Sequence, residues 1–148
     1  MGAADVWVAT LAAAFLSGFL PFVNIEAYLV GAAALLPGAP PLVVVSAAAL
    51  GQMAAKTLLF LGGRGIVSLP SRLRERALAA SARLGTRRPP ALVFTSALTG
   101  LPPFYVVSVA AGLLGFRTGP FLLAGFAGRL LRFGAVFALP GLVAWVIS

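Results

Sequence analysis

At 148 residues, with 61% hydrophobic residues, 9% charged residues and a mean hydropathy of +1.06, the chain departs far from soluble domains, which carry about 25% charge. The composition is that of one small integral membrane domain, with no room for an appended soluble enzyme. Eleven Lys and Arg against three Asp and Glu give a net charge of +8, but the placement of these charges along the chain points to membrane topology and away from nucleic acid.

The first residues, Met1-Gly2-Ala3-Ala4-Asp5, carry no positive n-region, so a secretory signal peptide reads poorly despite Ala12-Ala13-Ala14, and the N-terminus is expected to stay. An apolar stretch then runs from Val6 to Leu36, interrupted at Leu20-Pro21-Phe22-Val23-Asn24, with Glu26 as its only charge. As one helix it would measure about 46 Å against a hydrocarbon thickness of about 30 Å, so a hairpin turning at Pro21 to Asn24 fits better. A carboxylate at the bilayer centre costs about 2.5 to 3.5 kcal/mol, so Glu26 is expected to face protein, water or a ligand. The turn Pro37-Gly38-Ala39-Pro40-Pro41 leads into a span from Leu42 to Gly63 that contains Gln52 and Lys56.

Arg64, Arg72, Arg74, Arg76, Arg83, Arg87 and Arg88 crowd the next segment, which the positive-inside rule makes cytoplasmic. Within it Ser71 is expected to cap a helix that Gly85 ends, and Leu73, Ala77, Ala80 and Leu84 recur on one side. The expected element is a basic amphipathic helix on the inner surface, a topology determinant with anionic lipid headgroups as its alternative partner.

The layout then repeats. A broken stretch from Ala91 to Phe116, interrupted at Gly100-Leu101-Pro102-Pro103-Phe104, leads through Arg117-Thr118-Gly119-Pro120 to a span from Phe121 to Ser148 that carries Arg129 and Arg132. If the second broken stretch enters and leaves on the cytoplasmic side, Arg117 is cytoplasmic too; a full crossing would strand it outside. By the same logic the first hairpin opens to the other face. The expected fold is therefore an all-α integral membrane protein of two inverted repeats, each a re-entrant broken-helix hairpin plus a transmembrane helix. The repeats, residues 6–63 and 91–148, are joined by the basic amphipathic cytoplasmic helix in residues 64–90. Trp7 and Trp145 read as interfacial anchors, while small-residue repeats such as Gly115 to Gly119 say little beyond close packing.

The chemistry is restricted by what is missing. Without Cys or His, and with Asp5, Glu26 and Glu75 in unlike environments, no paired acid and base is visible, so neither an enzyme, a metal site nor a cofactor is expected. The ionisable residues inside the apolar segments are Glu26 at −1 and Lys56, Arg129 and Arg132 at +3, a sum of +2 that favours a cavity admitting water or phosphate. Arg129 and Arg132 share one helix face and Gln52 and Lys56 another. The candidate transport residues are thus Glu26, Arg129, Arg132, Lys56, Gln52 and Asn24, with Pro21, Pro102 and Pro103 at the hairpin tips. Other readings stand beside these: Lys56 snorkels to the cytoplasmic surface, Glu26 locks the halves by pairing with an arginine, and the prolines serve only as helix breakers.

Several short motifs share one order with a known family. Pro21, Glu26 and Gly31 resemble the proline-and-glutamate element of the first re-entrant hairpin of the DedA, or VTT (SNARE-associated Golgi protein), family. Gly51 with Gly62-Gly63-Arg64 resembles its second span, and Leu101-Pro102-Pro103 with Ala110-Ala111-Gly112 its second hairpin. Gly128-Arg129-Leu130-Leu131-Arg132-Phe133 is similar to the element of the short YqaA-like branch. The resemblance implies a lipid-handling membrane protein, a polyprenyl phosphate flippase or a phospholipid scramblase. The two tip arginines that longer members link with proton-dependent transport are absent from Thr95 to Phe104, so proton coupling is not implied.

The expected function is a small multi-pass lipid transporter in a cell membrane, a prokaryotic cytoplasmic membrane, with phosphate headgroups as ligands and a homo-oligomer as one possible state. A proton-coupled exporter of cationic solutes and a non-transporting membrane scaffold are the alternatives. Like-charge repulsion from the arginines argues against the first, and the second needs Glu26 and the arginines only as a buried pair.

Overall fold

The computed structural model describes residues 2–20, 23–36, 38–66, 68–84 and 89–148, and these are all-α. Both expected interruptions are present: α1 (Ala3–Ser17) and α2 (Ile25–Leu35) flank the first, and α5 (Pro89–Thr99) and α6 (Phe104–Leu113) the second. Between them lie α3 (Pro41–Gly63) and α4 (Ser71–Leu84), and α7 (Thr118–Ile147) completes the chain. Pro21, Pro37, Gly85, Arg87 and Arg88 lie outside the described residues.

Local chemistry sets these boundaries. The Asn24 carboxamide oxygen accepts hydrogen bonds from Glu26 N at 2.9 Å and Ala27 N at 3.2 Å, which caps α2. Proline opens α3 and α5, where a missing N–H removes no helical bond. Two helix starts differ from expectation. Ser71 is already inside α4, whose first turn closes on the Pro70 carbonyl through Arg74 N at 3.2 Å. Thr118, Gly119 and Pro120, expected as a turn, form the first turn of α7, where proline is tolerated for the same reason.

Among the described residues two helices, α3 with 23 residues and α7 with 30, are long and apolar enough to cross a membrane. They measure about 35 and 45 Å, whereas α5 with 11 residues and α6 with 10 measure about 16 and 15 Å, half of a bilayer core of about 30 Å.

The chain packs as two compact units, Met1–Gln52 with Arg129–Ser148, and Met53–Gly128. In the first, Ala14, Leu29, Val44, Ala47, Ala48 and Phe133 are fully buried. Gly51 lets α3 approach α1 so closely that a methyl group there would overlap the Leu11 carbonyl oxygen and the Ala14 side chain. Beside it the Gln52 amide donates to the Ala14 carbonyl at 3.3 Å and to the Ser17 hydroxyl. Thr10 and Tyr28 place their hydroxyls 3.0 Å apart across the first interruption. The distal end of α7 is bare, with Leu142, Val143, Trp145, Val146 and Ile147 all exposed.

In the second unit, Phe60 stacks on Phe121 with ring centroids 4.4 Å apart, and Phe104 lies 6.2 Å from Phe121, inside a core that Met53, Val93, Val107 and Phe116 complete. Gly63 of α3 and Gly112 of α6 meet backbone to backbone; a methyl group on Gly63 would overlap the Val109 carbonyl oxygen, and one on Gly112 the Phe60 carbonyl oxygen. The amphipathic α4 is present, but protein covers part of its apolar side. Ala77 is fully buried, and Leu73 packs with Leu69, Leu59 and Val109. Protein here supplies part of the apolar cover that the sequence assigns to the inner membrane surface.

Candidate functional site

Among the described residues the first unit contains five of the expected site residues, Asn24, Glu26, Gln52, Arg129 and Arg132. Asn24, as the cap, holds Glu26 in the first turn of α2, where the amide dipoles favour negative charge. From α7, Arg132 donates its Nε–H to a carboxylate oxygen of Glu26, forming an ion pair. The two side chains keep 27% and 35% of their surface accessible, for Arg132 and Glu26 respectively, so the pair is neither sealed nor fully open.

Arg129 stands three positions earlier on α7, about 17 Å along the helix from Thr118, and so on the same side as Arg132. Its guanidinium lies 5.6 Å from the centroid of the buried Phe133 ring, a cation–π arrangement that fixes its direction, and it is within electrostatic reach of both Arg132 and Glu26. Counting −1 for Glu26 and +1 for each arginine, the cluster carries +1. Such a group can hold a phosphate beside the carboxylate or in exchange for it, because the guanidinium fork forms bidentate pairs with both anions.

The remaining candidates divide. Gln52 belongs to the same unit, but its amide ties α3 to α1 through Ala14 and Ser17. Lys56 belongs to the second unit and is 5% exposed, a burial that goes with an interior position rather than with snorkelling. Pro102 and Pro103 form the second interruption, where the Leu101–Pro102 peptide is cis and the Ser96 hydroxyl donates to the Pro102 carbonyl. The Pro103 carbonyl accepts from Val106 N and Val107 N, both at 3.1 Å, and so starts α6. Gly100, at φ +78°, takes the left-handed conformation that favours glycine in the interruption between α5 and α6.

Sequence reasoning missed two contacts. Phe133 was legible as a partner for Arg129, being four residues further along one helix, but it was read only as part of a motif. Arg64, read as the close of a Gly-Gly-Arg run, donates to the Phe116 carbonyl and sits 4.7 Å over the Phe60 ring. It thus ties the end of α3 to the turn before α7, and nothing in the local sequence signals a partner 52 residues away. Comparison with protein-family models, curated proteins and solved structures finds no match to this chain.

Proposed function

We propose that the chain is a small integral membrane protein of the DedA/VTT type that moves a phosphate-bearing lipid, such as polyprenyl phosphate or a phospholipid, across the bilayer. The observation that carries this reading is the Glu26–Arg132 pair with Arg129 alongside: a half-open cluster of net charge +1 on otherwise apolar helices. Charge in such a setting is costly unless it meets water or a ligand, and a phosphate headgroup satisfies two arginines while its acyl chains stay in the membrane. Glu26 then acts as the gate, releasing Arg132 when the headgroup arrives and recapturing it afterwards.

The proposed architecture is a pair of inverted repeats with re-entrant hairpins. Support comes from two features: α5 and α6 are each about half a bilayer long, and Pro89 at the start of α5 lines the same cavity as Leu114 just after α6. Irregular backbone between such half-helices is tolerated at membrane depth where it is buried or wet. Headgroup translocation in proteoliposomes tests the function. The idea fails if the purified protein moves neither phospholipid nor polyprenyl phosphate, and Glu26→Gln and Arg129→Ala alter nothing.

The ion pair itself favours one second reading, a scaffold in which Glu26 and Arg132 only lock α2 to α7. A cation exporter fits less well, since its substrate would have to displace Arg132 from the carboxylate.

A further inference from the structure

The second unit contains a cavity of about 520 Å³ that the proposed transport cluster does not use. Its walls are the start of α5 (Pro89, Pro90, Val93), the turn after α6 (Leu114 to Arg117) and the start of α7 (Pro120, Phe121). The volume falls within the range of about 300 to 1,000 Å³ typical of ligand pockets.

Its chemistry has one polarity. Val93, Phe116 and Phe121 form a buried apolar floor, and the three prolines add rings but no N–H donors. Among the described residues of the lining Arg117 is the only ionisable one, and it is exposed. None of the chain's carboxylates, Asp5, Glu26 and Glu75, lies in the lining. Arg64 is engaged with the Phe116 carbonyl and the Phe60 ring, so it braces the wall, and Arg117 is the described arginine placed to meet a ligand. Among the described residues a free anion would find one guanidinium beside a largely apolar cavity, and a neutral hydrocarbon would leave that guanidinium to water. An amphiphile with an apolar segment and a negative head satisfies both.

We infer that this cavity is a binding site for an anionic phospholipid, with an acyl segment against Val93, Phe116 and Phe121 and the phosphate on Arg117. The site rests on the membrane reading of the chain, but not on translocation, and it is separate from Glu26 and Arg132, which belong to the other unit. It holds a lipid at one end of the half-length helices α5 and α6.

The test is native mass spectrometry of the full chain in detergent with phosphatidylglycerol or phosphatidylcholine, for wild type, Arg117→Gln, Leu114→Trp and Glu26→Gln. Arg117 and Leu114 are both exposed, so neither change should disturb folding. Wild type should retain phosphatidylglycerol preferentially, Arg117→Gln should lose about five- to tenfold of that preference, and Leu114→Trp, which narrows the cavity with an indole, should weaken retention of both lipids. Glu26→Gln should retain phosphatidylglycerol like wild type. Equal retention of the two lipids by wild type, or an unchanged preference in Arg117→Gln, overturns the proposal. So does displacement by inorganic phosphate with Leu114→Trp unaffected, because that describes a plain anion site. Translocation is scored separately: its absence beside an intact Arg117-dependent preference would sink the transporter and leave this site standing.

Discussion

The Glu26 carboxylate and the Arg132 guanidinium join the first turn of α2 to the middle of α7. Exposed pairs contribute roughly 0.2 to 1 kcal/mol, and loss of one partner from a buried pair costs about 3 to 5 kcal/mol. At 27% and 35% exposure this pair falls between, so Glu26→Gln and Arg132→Gln should each destabilise the protein by about 1 to 2 kcal/mol in detergent unfolding. The double mutant should recover part of that loss through a coupling energy of about 0.5 to 3 kcal/mol. Translocation separates gate from lock. A gate predicts that the double mutant stays about tenfold or more below wild type even where stability returns, whereas a lock predicts that activity and stability return together.

Asn24 holds Glu26 in place through the α2 cap, so its effect should be readable as stability. Asn24→Ala removes the acceptor for Glu26 N and Ala27 N and should cost about 1 kcal/mol, while Asn24→Ser should keep most of it. A thermal melt of the purified variants checks this. Equal losses for Ala and Ser would show that the carboxamide does something other than cap.

Glycine substitutions should divide by the space around each position. Gly51→Ala, Gly63→Ala and Gly112→Ala place a methyl group against a backbone carbonyl oxygen, which a side-chain rotation cannot relieve, and each should cost about 1 to 3 kcal/mol or more. Gly134, also helical, has nothing within 4 Å of a built Cβ, so Gly134→Ala should be neutral or stabilising by up to about 1 kcal/mol. Melting temperatures of the four variants decide the matter.

Much of this fold was legible because proline and glycine punctuate an apolar chain. Both interruptions, both long helices and the basic helix α4 are present in the expected order, with the starts of α4 and α7 shifted. The long-range partners were not legible. Arg129 and Arg132 share a face, so helical spacing could say that the two point the same way but not that Arg132 bonds Glu26, 106 residues away. Gly51, Gly63 and Gly112 look like any of the 17 glycines until the backbone they approach is known. The partial cover of α4 was hidden too, since an apolar helix side reads alike whether lipid or protein will lie against it.

Arg64 supplies a test of long-range bracing. Its bond to the Phe116 carbonyl is charge-assisted and directional, and the guanidinium also faces the Phe60 ring at 4.7 Å. Arg64→Gln should lose about 1 to 2 kcal/mol, and Arg64→Lys should recover little, because an ammonium cannot hold the carbonyl and lie flat on the ring together. Full recovery by lysine would reduce the contribution to charge alone.

The topology carries the widest consequence, and the absence of cysteine makes it directly testable by single-cysteine labelling. Ala4, Gly38, Ala79 and Gly119 are exposed, and no atom lies within 4 Å of a Cβ built at Gly38 or Gly119. With re-entrant hairpins, Ala4→Cys and Gly38→Cys should react with an impermeant maleimide from one face of the membrane, and Ala79→Cys and Gly119→Cys from the other. With each broken stretch crossing fully, the pairs exchange partners: Ala4→Cys would label with Ala79→Cys, and Gly38→Cys with Gly119→Cys. The positive-inside tendency that places Arg117 beside the basic segment requires the first grouping, and the half-bilayer lengths of α5 and α6 make it sterically natural. If the second grouping is found, the interruptions are kinks in spanning helices, and the inverted-repeat path for a phosphate headgroup has no basis.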